Sequence, residues 1–297
     1  MTQTQTLPTA STTHASQTRG STKKMHINQD LLKMRAKPFI KWVGGKQAIS
    51  SLLNEYFPRN FQTYYEPFIG GGSVFLSLMP NKATICDQNE WLIDTYLAIR
   101  DDWEHVASIL DTLENNKEEF LKIRRIPHSQ LELFNKAAHF IYLNKTCFRG
   151  LYRVNKKGEF NVPYGQYNRR YYDPENLEAV SAALQNVEIC CGDFEHCITG
   201  ITKNDFVYFD PPYHKMGGYS DFNRYTKEKF FEEDQVRLSN FCRKLDANEI
   251  RWALSNSDTE FIRDLYCEFK FNLIKNRREI NLNSKSRSIT ELLITNY

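Results

Sequence analysis

Residues 206–209, Phe-Val-Tyr-Phe, form an uninterrupted apolar run that stops at Asp210-Pro211-Pro212-Tyr213. A run with no polar face reads as a strand buried on both sides, as in a parallel sheet. Each proline fixes its own φ and pushes the residue before it into an extended conformation. Asp210 and Pro211 are therefore expected to be held rigidly at the carboxyl end of a central strand. Open α/β sheets gather their ligands at that edge.

Further strand-like runs lie at 63–68, 83–87, 187–193, 250–255, 269–275 and 290–297, with the run just described spanning 205–210. Helical patterns separate several of them. In 89–100, Leu92, Ile93, Tyr96, Leu97 and Ile99 recur at helical spacing. Strands alternating with helices predict a largely parallel α/β sheet.

Between 101 and 187 the alternation stops. Two helix-like stretches are followed by LYRVNKKGEFNVPYG, which reads as a hairpin: Val154 and Phe160 flank the turn and Gly158 supplies it. We read 101–187 as a second module inserted into an α/β domain formed by 37–100 and 188–297. Residues 1–36 open on a Thr/Gln/Ser-rich stretch without a sustained hydrophobic period. They are expected to be a disordered tail, unless they are a start-site artefact.

The chain of 297 residues is 41% hydrophobic and 25% charged, which excludes a wholly disordered chain. Its net charge of +3 says nothing by itself about nucleic acid; the local distribution does. Residues 136–170 carry Lys136, Lys145, Arg149, Arg153, Lys156, Lys157, Arg169 and Arg170 against one acid, Glu159. Phe148, Tyr152, Phe160, Tyr164 and Tyr167 are interleaved with them. Cations for phosphates and aromatic faces for bases fit nucleic acid, although a solvated charged hairpin has the same composition. The seven cysteines include no CxxC pair, so they read as reduced, mostly buried thiols rather than a zinc ribbon. No apolar run is long enough to span a membrane, and the N-terminus lacks the apolar core of a secretory signal. A cytoplasmic protein is expected.

YYEPFIGGGSVFLSL runs from a strand into a helix through Gly70, Gly71 and Gly72. Neither GxGxxG nor the P-loop pattern is present. Asp87 closes the next strand, 17 residues after Gly70, where an acid suits ribose hydroxyls. It could also cap the helix that starts with NEWLI. This much points to a nucleoside-type cofactor. At the proline-bound strand end, the Asp210 carboxylate and the Pro211 carbonyl offer two acceptors, matching the two hydrogens of an exocyclic amine, and Tyr213 offers a ring for stacking. An amine such as adenine N6 delocalises its lone pair into the ring. Accepting both hydrogens frees that pair to attack a methyl sulfonium held in line.

Together these segments resemble the Dam-type DNA adenine-N6 methyltransferases, the D12 class in its alpha group, over residues 37–297. PFIKWVGGK (38–46), YYEPFIGGGSVF, Asp87, NKTCFRGLYRVNKKGEFNVPYGQY (144–167), GDF (192–194) and DPPY follow in that family's order. The resemblance implies a Rossmann-like S-adenosylmethionine-dependent sheet with an inserted helical and β-hairpin target-recognition domain. It implies catalytic roles for Asp210, Pro211 and Tyr213. It places S-adenosylmethionine against Trp42, Lys46, Gly70, Asp87, Asp193, Phe194 and Asp210, with no metal, and has Lys46 pair with the methionyl carboxylate. Duplex DNA would meet Lys41, Phe148, Arg149, Leu151, Arg153, Pro163 and Tyr167. Lys41 and Arg153 would read guanines, Phe148 would insert beside a flipped base, and the target would be GATC. Arg149 departs from the family, many of whose members carry Asn there. A bacterial or phage-encoded monomer is expected, with or without a restriction endonuclease acting on the same site. Cytosine-N4 methylation and a non-catalytic DNA-binding module are the alternative readings.

Overall fold

Strand β4 (Phe206–Phe209) has all four side chains at 0% exposure, as an apolar run without a polar face requires. The computed structural model describes Met1 and residues 35–214, 230–277 and 288–297. The tail expected over 1–36 falls almost wholly outside that range. Around β4 lie β1 (Tyr64–Glu66), β2 (Ala83–Asp87), β3 (Val187–Cys191), β5 (Arg251–Ser257), β6 (Lys270–Arg277) and β7 (Ser288–Thr295). They form one sheet in the order β3-β2-β1-β4-β5-β7-β6. Strands β1 to β5 pair in parallel, and β7 runs antiparallel to both β5 and β6. Each of the seven expected strand segments is present, and the α/β, largely parallel architecture is that of an S-adenosylmethionine methyltransferase sheet.

The helices are α1 (Ser50–Tyr56), α2 (Ser73–Leu78), α3 (Glu90–Asp111), α4 (Lys117–Arg124), α5 (Leu133–Thr146), α6 (Pro174–Leu184), α7 (Phe194–Cys197), α8 (Glu232–Ala247) and α9 (Glu260–Leu265). Helix α3 starts where Asn89 accepts from the Leu92 amide at 3.2 Å, with Glu90 favourable in the first turn. Its periodic residues Leu92, Ile93, Tyr96 and Ile99 are buried against the sheet. Within 90–111 the backbone leaves the helical region at Asp102 (φ −157°, ψ 81°), whose carboxylate accepts from the His105 amide at 2.9 Å, so a second helical segment starts there and the first ends close to where the sequence pattern did. Helix α6 is capped by Asp173 and opens on Pro174, whose missing N–H costs nothing in a first turn.

One apolar cluster joins Phe75, Tyr96 and Ile99 to Phe120, Phe140, Tyr142 and Tyr152, so the 101–187 stretch packs into the same core as the sheet. Each such aromatic ring, once buried, contributes roughly 1.5–3 kcal/mol. A second cluster around Phe194, Val207, Phe209, Leu238, Trp252 and Tyr266 covers the other face. The expected hairpin is present but carried by isolated bridges, Cys147–Tyr164 and Val154–Phe160. Pro163 cannot donate to a ladder, and the Arg153 side chain takes the Asn161 carbonyl at 3.0 Å.

The cysteine expectation needs correction. Cys86 and Cys190 pair in register on β2 and β3 and are joined as a disulfide, with Cα atoms 4.9 Å apart. Cys147, Cys191, Cys197, Cys242 and Cys267 are free thiols, as expected, and three of them are buried. Parallel pairing puts both Cβ atoms on one face of the sheet. A partner 104 residues away leaves no trace in local spacing. The Cys197 sulfur lies within 4.8 Å of that pair. Among the described residues, no helix is long and apolar enough to cross a membrane.

Candidate active site

The parallel strands deliver their carboxyl ends to one edge: Glu66 from β1, Asp87 from β2, Cys191 from β3 and Phe209 from β4. The glycine loop follows β1 directly. Gly70 sits at φ +47°, and a Cβ there would come within 2.6 Å of the Trp42 indole, so only glycine lets that ring approach. Asp87 fixes the loop by accepting from the Gly70 amide at 3.1 Å. It also accepts from the Asn89 amide at 3.0 Å. The cap of α3 is Asn89, so the alternative reading of Asp87 as that cap is set aside. Burial pushes Asp87 up to about 6, against the pull of these amides.

Asp193 and Phe194 stand just beyond β3. Asp193 caps α7 through the Glu195 amide at 3.1 Å and receives Arg237 in bidentate fashion at 2.9 and 2.7 Å. Burial is the largest single influence and would raise its carboxyl, but the Arg237 hydrogen bonds, the Glu195 amide and the nearby positive charge together hold it below its usual range. The same guanidinium lies 4.5 Å from the centre of the buried Phe194 ring. Arg237 comes from α8, and nothing in its local sequence singles it out.

At the end of β4, Lys46 is almost fully buried and stands 3.0 Å from Asp210 Oδ1 and 3.8 Å from Glu291 Oε2. Its ammonium donates to the Gly44 carbonyl at 2.7 Å. The charge on Asp210 is thus compensated at a buried oxygen. The Pro212 carbonyl accepts from Gln235 Nε2 at 2.8 Å, and Gln235 is itself held by Asn256 at 3.0 Å. Among the described residues nothing donates to the Pro211 carbonyl. The Asp210 carboxylate and the Pro211 carbonyl therefore sit side by side on a turn held in place by Gln235. Burial pushes Asp210 up to about 6, with Lys46 opposing and Glu291 reinforcing the rise. The Tyr213 hydroxyl donates to Glu291 at 2.9 Å, and Lys46 Nζ lies 4.6 Å from the Tyr213 ring centre. Lys46, expected to pair with a cofactor carboxylate, is engaged here by the chain's own carboxylates. Glu291 went unremarked in the sequence because it lies on the last strand, far from every motif.

The residues expected at DNA gather on one side. Asn144, fully buried, accepts from the Lys41 amide at 2.8 Å and donates to the carbonyls of Lys41 and Gly150 at 2.9 and 3.3 Å. A Cβ on Gly150 would strike the Lys41 side chain at 2.3 Å. Phe148 is 45% exposed, its amide donating to the Pro163 carbonyl at 2.8 Å. The Arg149 guanidinium lies 5.2 Å from the Phe148 ring centre, and its amide donates to the Tyr167 hydroxyl at 2.8 Å. Lys41 Nζ is 5.8 Å from the Tyr167 ring centre. Leu151 is half-buried beside this group, while Arg153 is exposed but turned onto Asn161. Trp42 stacks on Tyr152 at 5.5 Å, bridging the glycine loop to this side. Arg149 adopts φ +58°, a left-handed conformation in which Asn is more at ease.

The chain is similar to proteins acting on DNA adenine. The family model for D12 class N6 adenine-specific DNA methyltransferases matches residues 42–280. The type II methyltransferase M.MjaIII of Methanocaldococcus jannaschii is 42% identical over 289 residues, covering 89% of this chain and 100% of the relative. The type II methyltransferase M1.LlaDCHI of Lactococcus lactis is 39% identical over 275 residues, 89% of this chain and 97% of the relative. The DNA adenine methylase of Serratia marcescens is 33% identical over 261 residues, 86% and 96% of the two chains. A sheet of this order, with its acceptor turn and glycine loop inside the matched span, places the chain in the D12 class of N6 adenine-specific DNA methyltransferases.

Proposed function

We propose that the protein methylates N6 of an adenine flipped out of duplex DNA, within GATC. One observation carries the reading: the buried Asp210 carboxylate, its charge balanced by Lys46, sits beside the Pro211 carbonyl, to which no described residue donates, while the neighbouring Pro212 carbonyl is taken. An amine brings two hydrogens for this pair of acceptors. The glycine cradle under Trp42, with Asp87 at its rim, fits a nucleoside cofactor. Trp42, Lys46, Gly70, Asp87, Asp193, Phe194 and Asp210 would hold S-adenosylmethionine, which when bound supplies an electrophilic methyl group. No metal is invoked.

Flipping costs a few kcal/mol. Stacking on Tyr213 and insertion of the exposed Phe148 would offset that cost. In this reading 101–187 is the target-recognition domain. Lys41 and Arg153 read guanine, for which Lys and Arg are the usual partners. Arg149, Leu151, Pro163 and Tyr167 shape the surface around the vacated base, and Lys156 and Lys157 meet phosphates. The protein acts as a monomer. Protection against a restriction endonuclease acting on the same site, without a stable complex, and housekeeping marking both fit this chemistry. The type II names of the relatives at 42% and 39% identity favour protection.

The test is transfer of labelled methyl from S-adenosylmethionine to unmethylated duplex DNA, with nucleoside analysis and sequencing of methylated positions. N6-methyladenine in GATC is expected, and Asp210→Ala should lose on the order of a hundred- to a thousandfold in rate while staying folded. Label in N4-methylcytosine would reject the chemistry. Methyladenine in another context would reject GATC alone.

A further inference from the structure

We infer that Glu291 is a positioning residue of the methyl-transfer site: it fixes the Tyr213 ring and shares the charge of Lys46 with Asp210. This assignment rests on the reading of Asp210, Pro211 and Tyr213 given above and deepens it.

Glu291 lies on β7, paired with Ser257 at the end of β5 and with Ile274 on β6. That register brings it to the same sheet edge as Asp210. It is 9% exposed, and a carboxylate there is costly unless well paired. Its Oε2 accepts the Tyr213 hydroxyl at 2.9 Å and stands 3.8 Å from Lys46 Nζ. A stacking platform needs a fixed ring plane. The hydroxyl bond holds the far end of Tyr213, while the Pro211-Pro212 turn holds the near end.

The second role follows from Lys46. Its ammonium lies between Asp210 at 3.0 Å and Glu291 at 3.8 Å, over the Tyr213 ring, and donates to the Gly44 carbonyl. Glu291 and the Gly44 carbonyl share an ammonium that already stands at hydrogen-bonding distance from Asp210 Oδ1, so its charge is not committed to Asp210 alone. The other groups facing Asp210 are Glu66 and Tyr64 from β1, hydrogen-bonded to each other at 2.7 Å, and Tyr208 from β4. Burial lifts the Glu66 carboxyl well above the usual range. Glu291 charge is one of the influences raising Asp210.

The experiment uses full-length Glu291→Gln, Glu291→Leu, Tyr213→Phe and the Glu291→Leu/Tyr213→Phe double variant, with folding checked by thermal melts. Glu291→Gln can still accept from Tyr213 but lacks the charge. Its acid limb of the kcat–pH profile should move to lower pH, with kcat within a few-fold of wild type. Glu291→Leu should lose on the order of ten- to a hundredfold in kcat, with the KM for DNA within about twofold. In the Tyr213→Phe background the same change should cost clearly less, because part of its effect is already gone. An unmoved acid limb in Glu291→Gln, or full additivity in the double variant, overturns the assignment. If Glu291→Leu does not fold, the Glu291→Gln profile decides. Wild-type protein that leaves adenine N6 unmethylated defeats the underlying reading instead.

Discussion

Asn144 grips Lys41 by both backbone groups: the Lys41 amide donates to Asn144 Oδ1 at 2.8 Å, and the Asn144 amide donates back to the Lys41 carbonyl at 2.9 Å. This two-way contact splices the segment before the glycine loop onto α5, 103 residues later. Asn144→Ala leaves the Lys41 amide and carbonyl without that partner. It should destabilise the chain by about 1–3 kcal/mol. Denaturant unfolding measures the loss, and an unchanged midpoint would show that the pairing contributes nothing.

Two carboxyls at the sheet edge, Asp87 and Asp210, are pushed up to about 6 by burial. Their folded values lie above those of an unfolded chain. Their contribution to stability is therefore fully present below the unfolded range near 4 and is lost as pH rises through about 6. Methyl transfer should run the other way, failing as pH falls through 6, because Asp210 must be a carboxylate to accept. Lys46→Met removes the cation that opposes the rise, so the acid limb of its rate profile should shift to higher pH. A limb at the wild-type position would disconnect Lys46 from Asp210.

Arg149 stands at φ +58°. Arg149→Asn should stabilise the fold by up to about 1 kcal/mol by easing that conformation, although it gives up the guanidinium contact with Phe148. Melting curves decide the sign. A net loss of stability would mean that the contact with Phe148 outweighs the strain.

The Cys86–Cys190 disulfide leaves five thiols. Protein prepared without reductant should titrate five thiols after denaturation and seven after reduction. Seven in both cases would show the pair to be a dithiol.

The sheet was legible because its strands are apolar runs with abrupt ends: Phe206–Phe209 stops at a double proline, and Ala83–Asp87 stops at an acid. The glycine loop, Asp87 and the acceptor turn were legible for the same reason, since each sits within a few residues of such an end. Glu291, Arg237 and Asn144 were not. Each acts across a separation of tens of residues or more, through a side chain whose local setting is an ordinary strand or helix. The stop of the helical pattern near 100 was legible too, because Asp102 leaves the helical region and caps the segment that follows.

Strands β1 and β4 are hydrogen-bonded neighbours, with Tyr64 opposite Phe206. The Thr63 amide is tied to Asp205 across 142 residues. Pairing over so great a distance is entropically slow to nucleate. A nascent chain that has emerged only as far as β3 owns the glycine loop and Asp87 but has no partner for the exposed edge of β1. The acceptor turn can take its place only when β4 arrives and closes that edge. The order of synthesis thus keeps the two halves of the reaction apart until the sheet zips shut, and a chain cut short before β4 is expected to be both inactive and adhesive at its open strand.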